Sequence, residues 1–118
     1  MYQLIFYVPA SHLGSVKSAL FKAGAGRIGN YDCCAWQTQG EGQFRPLAAS
    51  NAFIGTKNEM TKLAEYKVEM VCCAENVQAV LQALITSHPY EMPAYGVLEV
   101  KTVDNFNSLN SLFLLTAE

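Results

Sequence analysis

The chain has 118 residues, a length typical of one domain, and a formal net charge of −2. Its eight Lys and Arg residues are scattered along the sequence, which argues against a nucleic-acid partner, because such a surface needs clustered basic side chains. No apolar run reaches the roughly 18 residues of a membrane span, and the first residues do not resemble a signal peptide. We therefore expect a cytoplasmic protein without a membrane partner, in which the four cysteines are mostly reduced.

The composition suggests that part of the surface is hidden. Hydrophobic residues make up 51% of the chain and charged residues only 15%, whereas about a quarter is usual. This deficit is expected when one face of the folded chain packs against another chain. We therefore predict a homo-oligomer.

The first half of the chain predicts a strand, a helix and a second strand. Residues 2–8 are apolar on both faces, which is typical of a central strand. A helix follows, with Ser11 as the predicted N-cap and Gly24 at its C-terminal end. Residues 32–39 alternate as a strand, and QGEGQF after it predicts a hairpin turn. Residues 46–61 lack periodicity and predict a long loop, with a short strand around 53–54 as an option.

The second half repeats the alternation of strand and helix. Residues 66–73 alternate as a strand, residues 75–88 have the apolar stripe of an amphipathic helix, and residues 95–103 form a last strand. The order β-α-β-β-α-β predicts an α+β, ferredoxin-like sandwich: a four-stranded antiparallel sheet with two helices on one face. We expect a single domain with a core over residues 2–103, followed by a tail, 104–118, whose secondary structure the pattern does not decide.

Two motifs have simple structural interpretations. GAGRIG matches a dinucleotide-binding pattern by letter, but it follows a helix and leads into a strand, whereas that pattern must follow a strand and open a helix. We interpret its glycines as turn residues. The cysteines form two adjacent pairs, Cys33–Cys34 and Cys72–Cys73, on predicted strands. Neighbouring strand residues point to opposite faces, so core packing is favoured over a metal site, and pairing between the two strands stays open.

The two histidines differ in context. His12 lies in the first turn of the predicted helix, where we expect it to be solvated. His88 ends the second helix, and Glu91 follows three residues later. These two side chains are compatible with a divalent metal ion but are fewer than the three or four ligands of a usual site, so capping of the helix end is favoured. The sequence contains no recognised catalytic motif, and we predict that the chain is not an enzyme.

Two long stretches, GAGRIGNYDCCAWQTQGEGQFRP and HPYEMPAY, resemble the small domain inserted in YqfO-type proteins, which belong to the family of GTP cyclohydrolase 1 type 2 homologues. The resemblance covers residues 2–102 and implies a fold similar to the PII signalling and CutA proteins. It also implies a trimer with ligands in clefts between subunits, near a loop at about 40–60. The family's two-metal site lies in flanking domains, so neither that site nor a cyclohydrolase activity is implied for this chain. The segment LAASNAFIG departs from the family pattern LEGSNPFIG at Ala48, Ala49 and Ala52.

From the resemblance we expect a non-enzymatic trimeric module that binds a small ligand, a metal ion or a protein partner. The alternatives are a purely structural oligomerisation domain and, less favoured, a small enzyme that uses His88 and Glu91. The identity of a cofactor stays open, with a divalent metal ion held by that same pair as one option. Asn30 and Tyr31 are expected to face the same cleft as this pair, across subunits. The full set of candidate ligand-binding residues is Asn30, Tyr31, Trp36, Phe44, His88, Tyr90 and Glu91.

Overall fold

A computed structural model describes residues 1–106. The elements are β1 (Tyr2–Pro9), a short 3₁₀ helix (Ala10–His12), α1 (Leu13–Lys22), β2 (Trp36–Phe44), β3 (Thr61–Cys72), α2 (Val77–Ser87) and β4 (Tyr95–Glu99). The strands form one antiparallel sheet in the order β2-β3-β1-β4. The predicted β-α-β-β-α-β order and α+β fold are confirmed. No helix within residues 1–106 is long and apolar enough to span a lipid bilayer.

The hydrophobic core lies between one face of the sheet and the two helices, which pack on each other. Alternate residues of β1 and β3 point into it, as the period of two requires. Each fully buried aliphatic or aromatic side chain stabilises the fold by roughly 2 kcal/mol relative to its exposed state. The main core side chains are Leu4, Phe6, Val8, Val16, Leu20, Val68, Met70, Val80 and Leu84.

The opposite face of the sheet, which we call the open face, is not covered by α1 or α2. On β1 it carries Ile5, which is half-buried, and Tyr7, which is exposed. Leu98 on β4 and Trp36 on β2 also lie on this face, and both are exposed. The apolar character on both sides of β1 is therefore confirmed, and on one of these sides Tyr7 remains exposed among residues 1–106.

The second strand differs from the prediction. Residues 32–35 lie outside β2, and the predicted turn QGEGQF lies inside it, because β2 continues to Phe44. β3 begins at Thr61, five residues before the predicted start, and supplies the hydrogen-bonding partner for this continuation. The loop between them spans residues 45–60, which confirms the predicted loop, and no strand forms at residues 53–54.

The helix boundaries confirm most of the remaining predictions. Ser11 is not the N-cap: its hydroxyl hydrogen bonds to Nδ1 of His12 at 2.8 Å, and the 3₁₀ helix precedes α1. Gly24 follows the C-cap of α1 with φ +113°, the left-handed region that favours glycine. His88 is extended, as a residue before proline should be.

The C-terminal region and the cysteines also depart from expectation. β4 ends at Glu99 rather than at residue 103, residues 103–106 are helical, and the rest of the predicted tail lies outside the described residues. All four thiols are free. The predicted packing of cysteines in the core is confirmed for Cys72, whereas Cys33 and Cys73 are exposed. Cys33 lies in a bend with φ +55° rather than on a strand.

Candidate functional site

A pocket of about 460 Å³ opens on the open face, at the end of β2. It is bounded by the last residues of β2, by the loop 45–60 and by the segment 89–94 that follows α2. The amide of Tyr7 donates a hydrogen bond to the carbonyl of Ala94 at 3.2 Å, which holds that segment against β1. We call this feature the loop pocket. Its aromatic and acidic lining residues are Tyr7, Phe44, Phe53 and Tyr90, with Glu41, Glu65 and Glu91.

His88 lies behind the pocket wall and fixes it. It is only 6% exposed, and both of its ring nitrogens are used. Nδ1 accepts a hydrogen bond from the amide of Tyr90 at 3.1 Å, so Nε2 carries the proton and donates to the carbonyl of Tyr7 at 2.7 Å. Burial lowers the pKa of His88, opposed by its hydrogen bond to Tyr7. The neutral ring is therefore a structural link between β1 and the segment 89–94.

Tyr90 connects this histidine to an acidic side chain of the pocket. Its hydroxyl donates to Oε2 of Glu65 at 2.9 Å. Its ring lies 4.9 Å from the ring of His88 and 6.0 Å from that of Phe44, between centroids. Burial, followed by the neighbouring Glu65 carboxylate, raises the pKa of Tyr90 far above its ordinary value. Tyr90 therefore remains a hydrogen-bond donor at any physiological pH.

The position of Glu65 explains a glycine of β2. Glu65 pairs with Gly40 in the β2–β3 ladder, and its carboxylate lies over the backbone of Gly42. A Cβ atom added at position 42 would collide with Oε1 of Glu65. A larger residue here would therefore push the carboxylate away from the pocket.

The loop 45–60 is held over the pocket by two contacts with other segments and is closed by a hydrogen bond of its own. Oε1 of Glu91 accepts a hydrogen bond from the amide of Asn51 at 3.0 Å. Phe53 meets the ring of His12 edge to face, with 5.3 Å between centroids. Within the loop, the amide of Asn58 donates to the carbonyl of Pro46 at 2.6 Å. These contacts tie the loop to both the start of α1 and the segment after α2.

The seven candidate residues fall into two groups within one chain. Phe44, Tyr90 and Glu91 line the loop pocket, with His88 behind them. The other candidates, Asn30, Tyr31 and Trp36, do not line it. Trp36 begins β2, which places it about 27 Å from Phe44 at the strand's usual rise. Whether the two groups meet across subunits stays a prediction.

The predicted metal ligands lie close in sequence but gain no support from the geometry. Within residues 1–106, no three His, Cys, Asp or Glu side chains are grouped so that they could hold a metal ion. Neither nitrogen of His88 is free, because one donates and the other accepts a hydrogen bond. A metal role for His88 and Glu91 therefore stays a prediction that would require His88 to break an existing bond.

Sequence reasoning missed several pocket residues, chiefly Glu65, Glu41 and Tyr7. Each is an ordinary strand residue with no motif around it. The signal that could have found Glu65 is the register, because pairing with Gly40 sets its side chain beside the open position at Gly42. That register depends on extending β2 through its glycines.

Comparisons with known proteins give a consistent result. No family model matches the chain. The protein named GTP cyclohydrolase 1 type 2 homolog from Halalkalibacterium halodurans is 41% identical over 97 residues, which is 82% of this chain and 26% of that protein. The protein of the same name from Bacillus subtilis is 40% identical over 99 residues, which is 84% of this chain and 26% of that protein. The chain thus spans about a quarter of the length of the curated relatives it matches.

Solved structures agree with the sequence matches. A Bacillus cereus protein related to NIF3 superposes with a TM-score of 0.73 at 32% identity, over 86% of this chain and 26% of that one. The PII-like protein CutA from Nostoc gives a TM-score of 0.60 at 18% identity, over 86% of this chain and 82% of that one. CutA of Archaeoglobus fulgidus gives 0.61 at 11% identity, over 86% of both chains. At such identities the CutA structures show the fold alone.

Proposed function

The chain is homologous to one domain, a quarter in length, of the GTP cyclohydrolase 1 type 2 homologues, and we propose that it acts as a non-enzymatic, homotrimeric module that binds a small molecule in the loop pocket. The observation that carries this proposal is the pocket itself. Its volume of about 460 Å³ falls in the range of small-molecule sites, and its walls combine aromatic rings with a few polar groups.

The open face supports the oligomeric part of the proposal. Trp36 is 68% exposed and Leu98 is 54% exposed, on the same face as Tyr7. Exposed apolar side chains that share one face are typical of a surface that another chain covers. Three copies with their sheets around a common axis are what the resemblance to the PII and CutA proteins implies, and this face would then lie between subunits. The loop pocket opens on the same face and would then lie beside a neighbouring subunit.

A purely structural oligomerisation domain is the second candidate, and the exposed apolar face favours it as well. It differs in one expectation, because it requires nothing to bind in the loop pocket. The enzyme alternative has less support from the geometry. His88 has no free nitrogen, and Glu91 is exposed and already accepts a hydrogen bond from the loop.

Light scattering combined with ligand extraction tests the proposal. The purified protein should have about three times the 12.9 kDa mass of one chain, and denaturation should release a small molecule at close to one per chain. A monomer would contradict the oligomer. A trimer that releases nothing, and that binds nothing when screened with cationic, neutral and anionic compounds, would favour the structural alternative.

A further inference from the structure

We propose that the ligand of the loop pocket is a small organic cation, a molecule with a positively charged nitrogen on an apolar body. This inference rests on the proposed function, since it names the chemical class of ligand for that site. It is argued from the walls of the pocket, from the sign of its charges and from the carboxylate atoms that remain available.

The walls provide aromatic surfaces for a cation. Four rings line the pocket, those of Tyr7, Phe44, Phe53 and Tyr90. A cation within about 6 Å of such a ring face is attracted by its electron-rich centre, by about 0.5–2 kcal/mol depending on desolvation. Met92 adds a flexible thioether that can adapt to an apolar group. The same walls would also bury the apolar body of the ligand.

All charged residues that line the pocket are acidic. They are Glu41, Glu65 and Glu91, and no Lys, Arg or His is among the lining residues in the described part of the chain. An anion in the pocket would meet the carboxylates of Glu65 and Glu91 without a compensating cation, whereas the strand register directs the side chain of Glu41 to the opposite face of the sheet. Repulsion of this kind disfavours a nucleotide, whose phosphates need positive charge or backbone amides.

Two of the carboxylates are already held in place, and each keeps a free oxygen. Glu65 uses Oε2 to accept from Tyr90, and Glu91 uses Oε1 to accept from Asn51. The second oxygen of each has no hydrogen-bond partner among residues 1–106. Because Tyr90 and the open position at Gly42 fix Glu65, little side-chain freedom is lost when a ligand binds.

A bare metal ion fits less well than an organic cation. Divalent cations such as Ca²⁺ and Mg²⁺ need several oxygen ligands around one point. No grouping of three suitable side chains exists within residues 1–106, so the pocket carboxylates do not converge on one point. Separate carboxylates beside aromatic rings are better matched to a larger organic cation, in which carbon groups surround the charged nitrogen.

Benzyltrimethylammonium is a suitable probe, and isothermal titration calorimetry of the purified oligomer gives its affinity. Benzyl alcohol and phenylacetate are the neutral and anionic controls of similar size. We expect the cation to bind at least about tenfold more tightly than either control, because attraction of its charge to an aromatic face and to a nearby carboxylate is worth about that factor. Equal binding of the cation and the neutral compound would overturn the inference.

Variants locate the probe. Glu65→Gln should weaken binding of benzyltrimethylammonium about tenfold, since it removes a pocket charge and keeps the shape of the side chain. Glu99→Gln is the matched control because it removes the same charge from a residue that is exposed and does not line the pocket. If the Glu65→Gln variant does not fold, the Tyr90→Phe variant replaces it. This substitution keeps the aromatic ring but removes the hydroxyl that holds Glu65 in place. We expect it to weaken binding of the probe by less than tenfold.

The outcomes separate this inference from the proposed function. Binding of phenylacetate in preference to the cation, if it is lost when Ala52→Trp fills the pocket with a larger side chain, would overturn the cation inference and leave a ligand-binding module. Equal affinities of the Glu65→Gln and Glu99→Gln variants would likewise overturn the inference, because the probe would then bind elsewhere. Absence of binding by all three compounds to a correctly folded oligomer that releases no small molecule on denaturation would overturn both.

Discussion

At the scale of single residues, the pocket wall depends on a series of hydrogen bonds that begins at His88. Among the described residues His88 is the buried polar side chain of the core, and it links the carbonyl of Tyr7 to the amide of Tyr90. Tyr90 in turn fixes Glu65. His88, Tyr90 and Glu91 could be named together as candidates from the sequence because they lie within four residues of one another, and their role in ligand binding stays a prediction. Glu65 could not be predicted, because it comes from a strand that is distant in sequence.

Acid should destabilise the fold through His88. Burial lowers the pKa of the folded-state ring below its ordinary 6.5, while Glu65 raises it and His12 lowers it further. Below about pH 6.5 the unfolded chain therefore binds a proton that the folded chain resists, so stability is lost as the pH falls. We expect the midpoint temperature of thermal unfolding to be lower at about pH 5.5 than at about pH 7.5. The difference between the two pH values should be smaller for the His88→Gln variant.

His12→Gln is the matched control for this experiment. It should retain the part of the pH dependence that His88 causes. An identical slope in the wild type and in His88→Gln would show that the folded chain accepts the proton at His88 without loss, which contradicts the hydrogen bonding described above.

Tyr90→Phe should destabilise the protein by about 1 kcal/mol, because it removes a hydrogen bond to a carboxylate and leaves the ring in place. Urea unfolding measures the change. Tyr95→Phe is the control, since Tyr95 is 44% exposed and its hydroxyl has no hydrogen-bond partner among the described residues. Equal stability of the two variants would mean that the Tyr90–Glu65 bond contributes nothing to folding.

At the scale of elements, the central strand β1 and the amphipathic helix α2 were predicted well, whereas β3 begins five residues earlier than its alternating pattern indicated. β1 and α2 match their predictions within two residues at each end. β2 was misread because Gly40 and Gly42 are typical of turns. In the structure both glycines belong to β2 because they pair with β3. The carboxylate of Glu65 occupies the position where a Cβ atom at residue 42 would lie. A tertiary contact of this kind leaves no local trace in the sequence.

The corner between α1 and β2 gives a test at this scale. Gly26 has φ +78°, and a Cβ there would lie 2.8 Å from the carbonyl of Cys34. Gly26→Ala should therefore destabilise the fold by more than about 1 kcal/mol. Gly14→Ala is the opposite case, since Gly14 lies in α1 with nothing near its missing Cβ, and it should stabilise by up to about 1 kcal/mol.

Chemical unfolding of both glycine variants compares the two effects directly. If Gly26→Ala is as stable as the wild type, the turn tolerates another backbone conformation. The interpretation of GAGRIG as a turn that requires glycine would then be wrong.

At the scale of the whole molecule, the fold leaves one face of the sheet without α1 or α2, and the loop pocket opens on that face. The sequence predicted the fold and an uncovered face, because both follow from hydrophobic patterns that are local. The pocket could not be predicted, because β2, the loop 45–60 and the segment 89–94 meet only through the sheet register and the loop contacts. Of the three substitutions in the family pattern, Ala52 lines the pocket, whereas Ala48 and Ala49 do not.

Native mass spectrometry of the intact protein tests the central claim most directly, because it reports the subunit number and the bound mass together. Ala52→Trp should fill the pocket, and Ala48→Trp adds the same side chain to an exposed site of the same loop outside it. We predict a trimer that carries a small additional mass in the wild type and in Ala48→Trp, and a bare trimer in Ala52→Trp. A monomeric wild type, or a bound mass that persists in Ala52→Trp, would contradict the account.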